Sequence, residues 1–253
     1  MNTQQGHWLL AKMGKKVLRP GGKELTQKMI DGLAITNDDE VVEFAPGLGF
    51  TAQMTLAKNP KSYIGVELDT EAAEKLRKKF AKDNVQIINK NAAETEFPEQ
   101  VATKVYGEAM LTMQADHRKA EIIREAHRIL KSNGLYAIHE LGLKPDNIEA
   151  ETKATIQREL AQAIKVNARP LTISEWTKII EDEGFKVIKV ETNPMHLLEK
   201  KRMIQDEGIL RTLKINFNML INPDARKRIQ AMRKVFRTYQ NNLNAVAIIA
   251  QKI

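Results

Sequence analysis

Apolar positions along this chain keep two different periods. From Asn37 onward, short runs rich in β-branched residues alternate with longer stretches whose apolar residues recur every three or four positions. That alternation predicts a parallel sheet with crossover helices. The runs EVVEFAP, SYIGVEL, VQIINKNAA, ATKVYGEAML, LYAIHELGL, FKVIKVE and NAVAIIAQKI predict seven strands. Between them TAQMTLAKN, TEAAEKLRKKFAK, DHRKAEIIREAHRILK and ISEWTKIIEDEG predict helices, the third stopped by Ser-Asn-Gly. The expected fold is α/β, a seven-stranded doubly wound sheet in a single domain, with residues 37–193 as its core. Two segments stand outside the alternation. Residues 1–36 predict one or two helices around a Pro20-Gly21-Gly22 turn, and residues 194–242 a helical insertion before the last strand, 243–253. Both are placed to act as lids.

Composition narrows the chemistry. With 42% hydrophobic and 28% charged residues, the 253-residue chain has the make-up of a soluble protein with a real core. It has no cysteine, which excludes disulfides, thiolate nucleophiles and cysteine zinc sites. No apolar run is long enough for a signal peptide or a bilayer span, so a cytoplasmic location and no membrane partner are expected. The net charge of +8 points to anionic partners. Between His196 and Arg237 stand eleven Lys/Arg and four Asp/Glu, 11 − 4 = +7, nearly the whole excess.

The stretch VVEFAPGLGFT, from Val41, holds the first candidate site. A buried parallel strand is normally an unbroken apolar run, yet Glu43 sits inside this one, with Gly47 and Gly49 just beyond it. A carboxylate followed by glycines that admit close backbone approach suggests a nucleotide-type cofactor. GLGFTA also satisfies the looser dinucleotide pattern, with Glu67 at the distance of a ribose-binding acid. Against that reading, Pro46 precedes Gly47, so the strand has ended by Ala45.

The order acid-x-small-x-Gly-x-Gly, carried by Glu43, Ala45, Gly47 and Gly49, resembles motif I of the class I S-adenosylmethionine-dependent methyltransferases. YIGVELD is similar to the second motif, INKNAAETEFP to the third, and EAHRILKSNGLYAIHE to the helix-turn-strand of the small-molecule branch. The resemblance runs from about Val41 to the C-terminus. It implies S-adenosylmethionine as cofactor and S-adenosylhomocysteine as product. It also implies a cofactor site built from Glu43, Ala45, Pro46, Gly47, Gly49, Glu67, Leu68, Asn91 and Ala92. In that site Glu67 accepts from both ribose hydroxyls, Glu43 attracts the ammonium group, and Gly47 and Gly49 let the backbone close on the methionine part. Two positions depart from the pattern. Ala45 replaces a glycine, and Asn91 stands where the family offers Asp, keeping an acceptor for the adenine amino group without its charge.

Catalytic candidates lie at the carboxyl ends of the fourth and fifth strands, where open α/β sheets bind ligands. Glu108 matches the place where the family often puts a residue near the transferred methyl group. His139 and Glu140 alternate across the fifth strand, so one of them is expected in the pocket. Glu108 or His139 can remove a proton from the acceptor. An Asn/Asp-Pro-Pro-aromatic motif, used by enzymes that methylate exocyclic amines of bases, is absent after strand four, where GEAM stands. The expected activity is methyl transfer to a small, anionic molecule, drawn in by the basic insertion, whose apolar ILRTLKINFNML packs over the pocket. The alternatives are an RNA methyltransferase and a non-catalytic cofactor-binding protein.

Overall fold

In the computed structural model residues 5–253 are described, apart from the side chain of Lys200. Five strands, β1 (Glu40–Phe44), β2 (Ser62–Val66), β3 (Val85–Ile88), β4 (Ala102–Glu108) and β5 (Leu130–Leu143), run parallel. A two-residue β6 (Leu171–Thr172) pairs with the end of β5, and β7 (Phe185–Pro194) and β8 (Leu243–Lys252) complete the sheet. The order is β3-β2-β1-β4-β5-β8-β7, with β8 antiparallel to both neighbours. The seven expected strands are present. Strand order reverses between β1 and β4, which opens the ligand crevice of a doubly wound fold at their carboxyl ends.

The helices are α1 (Gly6–Lys12), α2 (Gly22–Leu33), α3 (Phe50–Leu56), α4 (Thr70–Lys79), α5 (Asp116–Ile129), α6 (Ala150–Ile164), α7 (Ile173–Glu181), α8 (Lys200–Glu207), α9 (Ile209–Leu220) and α10 (Pro223–Thr238). On one sheet face α5 and α7 bury Ile122, Ile123, Ala126, Trp176 and Ile180 against Phe44, Val105 and Tyr136. On the other, Leu25, Met29, Ile30 and Leu33 of α2 pack with Ala52 and Leu76 against Val41, Tyr106 and Ile249. So α2 is a core layer and not part of a lid, because its apolar stripe meets the small residues Ala137, Ala245 and Ala247 of the sheet. A third apolar cluster joins α1, α6, α10 and the 195–198 segment above the end of β5. It forms a roof over the crevice. The helix α6, part of that roof, was not among the expected elements.

Candidate active site

The β1–α3 turn is made by three residues in the left-handed region: Ala45 (φ +53°), Gly47 (φ +56°) and Gly49 (φ +69°). The Ala45 amide donates to the Val66 carbonyl (2.8 Å) and the Gly49 amide to Pro46 (2.8 Å), closing the turn. The two glycines serve different ends. A Cβ on Gly47 would meet only the Ala45 carbonyl, at 3.9 Å, leaving its other side open to the cavity. A Cβ on Gly49 would lie 2.5 Å from Phe80 and 2.6 Å from Leu76, so this glycine exists for helix packing. The structure places Ala45, Pro46 and Gly47 on the cavity wall and Gly49 behind it.

Two carboxylates flank the turn. Glu67, at the end of β2, accepts from the amides of Gly47 (2.9 Å) and Asp69 (3.0 Å). Burial raises its pKa, partly offset by those amide bonds. Glu43 is buried, and its Oε2 accepts from the Tyr63 and Tyr106 hydroxyls at 2.5 and 2.6 Å. Burial pushes its carboxyl up to about 7 against the pull of the two phenols. Beside them Leu68 is 69% exposed on the cavity rim, an apolar side chain waiting for a cover. Asn91 and Ala92 line the same end; the Asn91 oxygen already accepts from the Ala93 amide (3.0 Å), leaving one lone pair for a ligand.

At the ends of β4 and β5 lies a buried polar network. The Glu108 carboxylate accepts from the hydroxyls of Thr26 (2.8 Å) and Thr51, faces His139 Nδ1 at 2.7 Å, and pairs with Arg19 at 3.2 Å. Burial alone would raise its pKa, but the charge of Arg19 and the bond and charge of His139 outweigh it and hold the carboxyl at about 2. His139 is fully buried, off the cavity, with Nε2 2.6 Å from the Pro20 carbonyl. Its two ring nitrogens therefore tie the Pro20 turn to Glu108. Glu140, on the opposite strand face, reaches the cavity wall, as alternation requires of one of the pair. Its oxygens accept from the amides of Met110, Leu111 and Thr112 and from the Thr112 hydroxyl, at 2.6–3.0 Å. These bonds fasten the turn after β4.

Arg19 was not anticipated from the sequence, where only its place in the turn VLRPGG marked it. It is 7% exposed, lines the cavity and stacks over Phe50 (4.5 Å to the ring centroid). Its Nε and one terminal nitrogen are buried with no hydrogen-bond partner. Donors orphaned in this way are free to meet a water or an acceptor on a ligand.

The cavity holds about 730 Å³. Its floor is the sheet edge; its roof is Trp8, Leu10, Leu18, Leu197, Met232 and Phe236. None of the described basic side chains of the 194–242 insertion lines it. Nor does α9 pack over it: the apolar side chains of ILRTLKINFNML are largely exposed. The donor set suits a zwitterionic nucleoside thioether: an open backbone cradle at Gly47, an acid at Glu67, an apolar rim at Leu68, and an orphaned guanidinium opposite a buried carboxylate.

A family model for ribosomal RNA adenine dimethylase matches residues 21–127, from α2 to the end of α5. A Haemophilus influenzae protein, described only as uncharacterized, is 35% identical over 252 residues, 98% of each chain. A probable ribosomal RNA small subunit methyltransferase A of Pyrococcus abyssi is 36% identical over 76 residues, covering 30% of this chain and 28% of that one. Among solved structures, phosphoethanolamine N-methyltransferase 2 of Haemonchus contortus, bound to phosphomonomethylethanolamine and S-adenosylhomocysteine, shares the fold. Its TM-score is 0.72 at 18% identity, over 99% of this chain and 58% of that one. The motifs and the cofactor half agree: the chain belongs to the class I S-adenosylmethionine-dependent methyltransferases, and S-adenosylmethionine is its cofactor.

Proposed function

We propose that the chain transfers the methyl group to a small molecule held beneath the helical roof. The observation that carries this reading is the apolar cover that α1, the 195–198 segment and α10 lay over the cavity through Leu10, Leu197, Met232 and Phe236. A nucleotide within a polymer needs an open path for its neighbours; a small acceptor with an apolar body is enclosed by such a cover. When bound, S-adenosylmethionine supplies a methyl group on a sulfonium that departs as a neutral thioether. The protein's part is to hold, orient and keep water out. Glu67 is assigned to the ribose hydroxyls, Leu68 and Ala92 to the adenine faces and edge with Asn91, and Glu43 to the ammonium group. Arg19 is assigned to the cofactor carboxylate, which would satisfy its orphaned donors. Glu108, held at about 2, is a fixed anion that positions Arg19 and is a poor proton acceptor at neutral pH. His139 and Glu140 are read as positioning groups for the same reason of saturated bonding. An anionic acceptor, as expected from the sequence, would meet Lys16 and Lys165 on the cavity wall instead of the insertion's cations.

RNA is the second reading, and a specific observation favours it: the ribosomal RNA dimethylase match and the Pyrococcus relative. The family match, residues 21–127, runs from α2 through β4 to α5 and leaves α1, α6, α10 and the 195–198 segment of the roof outside, and the Pyrococcus match spans only 30% of this chain. Against RNA, Gly107-Glu108-Ala109-Met110 stands where base N-methylating enzymes carry Asn/Asp-Pro-Pro-aromatic. The deciding experiment incubates the protein with methyl-labelled cofactor and a cell extract. Label in ribonuclease-resistant small metabolites is the expected result; label confined to RNA replaces this reading with the second.

A further inference from the structure

Helix α9 presents Ile209, Leu210, Leu213, Phe217 and Leu220, with Ile221 just after it, at 59–84% exposure. At about 100° per residue these six side chains fall within a stripe roughly 120° wide. The opposite face seats the helix: Thr212 and Ile215 are buried, and the Asn218 amide donates to the Met13 carbonyl (3.0 Å). The stripe therefore faces solvent in a folded, anchored helix. Ile204 of α8, 44% exposed, adds to the exposed apolar surface of the insertion. Scattered exposed leucines are ordinary, but a continuous stripe marks an interaction surface.

The surroundings say what covers it. Lys214 lies on the helix itself, Lys201 on α8, and Arg226 and Lys227 on the first turn of α10, all exposed. The whole insertion carries +7 from eleven basic and four acidic residues. Pairing this surface with a second copy of itself would bring +7 against +7. Nucleic acid would satisfy the cations but offers nothing to five aliphatic side chains. An anionic lipid surface satisfies both features. We propose that α9 docks this protein, lying flat, on an anionic membrane surface, its apolar stripe among the acyl chains and its flanking cations at the headgroups. Its twelve residues reach only about 18 Å, too short to span a hydrocarbon core of about 30 Å. Lying on the surface is compatible with the finding that, among the described residues, no helix is long and apolar enough to cross a membrane.

The test is co-sedimentation of the full chain with vesicles of phosphatidylglycerol and phosphatidylcholine, equimolar, and with vesicles of phosphatidylcholine alone. Binding to the anionic vesicles at least about ten-fold stronger than to the neutral ones is expected. The pair Leu210→Glu and Leu213→Glu should lower it by a further ten-fold or more, with melting temperature unchanged because both positions are exposed. If that pair melts early, Leu210→Ser with Leu213→Ser makes the same comparison. No partition into anionic vesicles overturns the proposal, and so does binding that survives loss of the apolar stripe. A dimer in light scattering that Leu213→Glu dissociates, without vesicle binding, would make the stripe an interface between copies instead.

Discussion

Ala45 carries a β-carbon in a backbone conformation that favours glycine, at φ +53°. The left-handed region costs an L-residue roughly 1–2 kcal/mol, while glycine gives back roughly 0.5–1 kcal/mol in chain entropy. Ala45→Gly is therefore expected to hold or raise stability, by up to about 1 kcal/mol, with cofactor affinity retained. A clear drop in the urea midpoint would contradict this. The two buried glutamates titrate in opposite senses. Glu43 is raised to about 7, so the native state keeps its proton after the unfolded chain has lost it; its contribution is full below about 4.5 and disappears as pH rises through 7. Glu108 is depressed to about 2, so its contribution is present above about 4.5 and disappears as pH falls toward 2. Glu43→Gln should accordingly flatten the fall in stability between pH 5 and 8, a term on the order of 3 kcal/mol. Melting curves at those two pH values check it: an unchanged slope in the variant would mean that Glu43 is ionised throughout. On the cofactor side, Glu67→Ala and Arg19→Gln should each weaken S-adenosylmethionine binding by about 1.5–3 kcal/mol, the scale of a charge-assisted hydrogen bond. Calorimetry that finds wild-type affinity for either variant removes that residue from the site.

Among the elements, the strap from Lys15 to Lys23 links roof and site. Glu207, at the end of α8, accepts from the amides of Lys16 and Val17 (both 2.8 Å) and stands 3.5 Å from the buried Lys15 ammonium. Asp206 accepts from the Lys23 amide (3.0 Å). The same strap carries Arg19 to Glu108 and the Pro20 carbonyl to His139. Glu207→Ala would leave a buried cation and two amides without their partner. It should cost about 1–3 kcal/mol and quicken proteolysis within residues 15–23, an effect that added cofactor reverses. Limited proteolysis with no change in that segment would show the strap to be held otherwise. Little of this device could be read from the sequence, since its partners are about 190 positions apart. The sheet was legible because strand and helix periods differ, and Glu43, Gly47 and Glu67 were legible because a charge or a glycine breaks an apolar run. The helix α6 escaped because AETKATIQRELAQAI buries only Ile156 and Leu160 fully, too thin a stripe to announce itself. The amphipathic pattern of α9 was visible, but a pattern says only that one face is apolar. It does not say that the face finds a partner within the chain, and here it does not.

Across the whole molecule, charge and chemistry are segregated. Outside His196–Arg237 the chain has 40 − 11 = 29 basic and 32 − 4 = 28 acidic residues, a balance of +1 against +7 inside. The nearly neutral part holds the cofactor half; the positive part supplies α10, whose Met232 and Phe236 line the cavity from the roof while Arg226 and Lys227 point to solvent. One helix thus has an inner face on the cavity and an outer face in solvent. The two proposed acceptors place different demands on that outer face. A small molecule enclosed under the roof does not touch it, so Lys201→Gln, Arg226→Gln and Lys227→Gln together should leave kcat/KM within about two-fold, since only long-range steering is lost. An RNA acceptor would lean on those cations, each phosphate contact adding a slope of about −0.7 to log K against log salt. The expected outcome is an unchanged rate on the small acceptor and no RNA binding near physiological salt. A wild-type slope steeper than about −3, reduced by roughly 2 in the triple variant, would mean that several phosphates are held there, and the acceptor would have to be RNA.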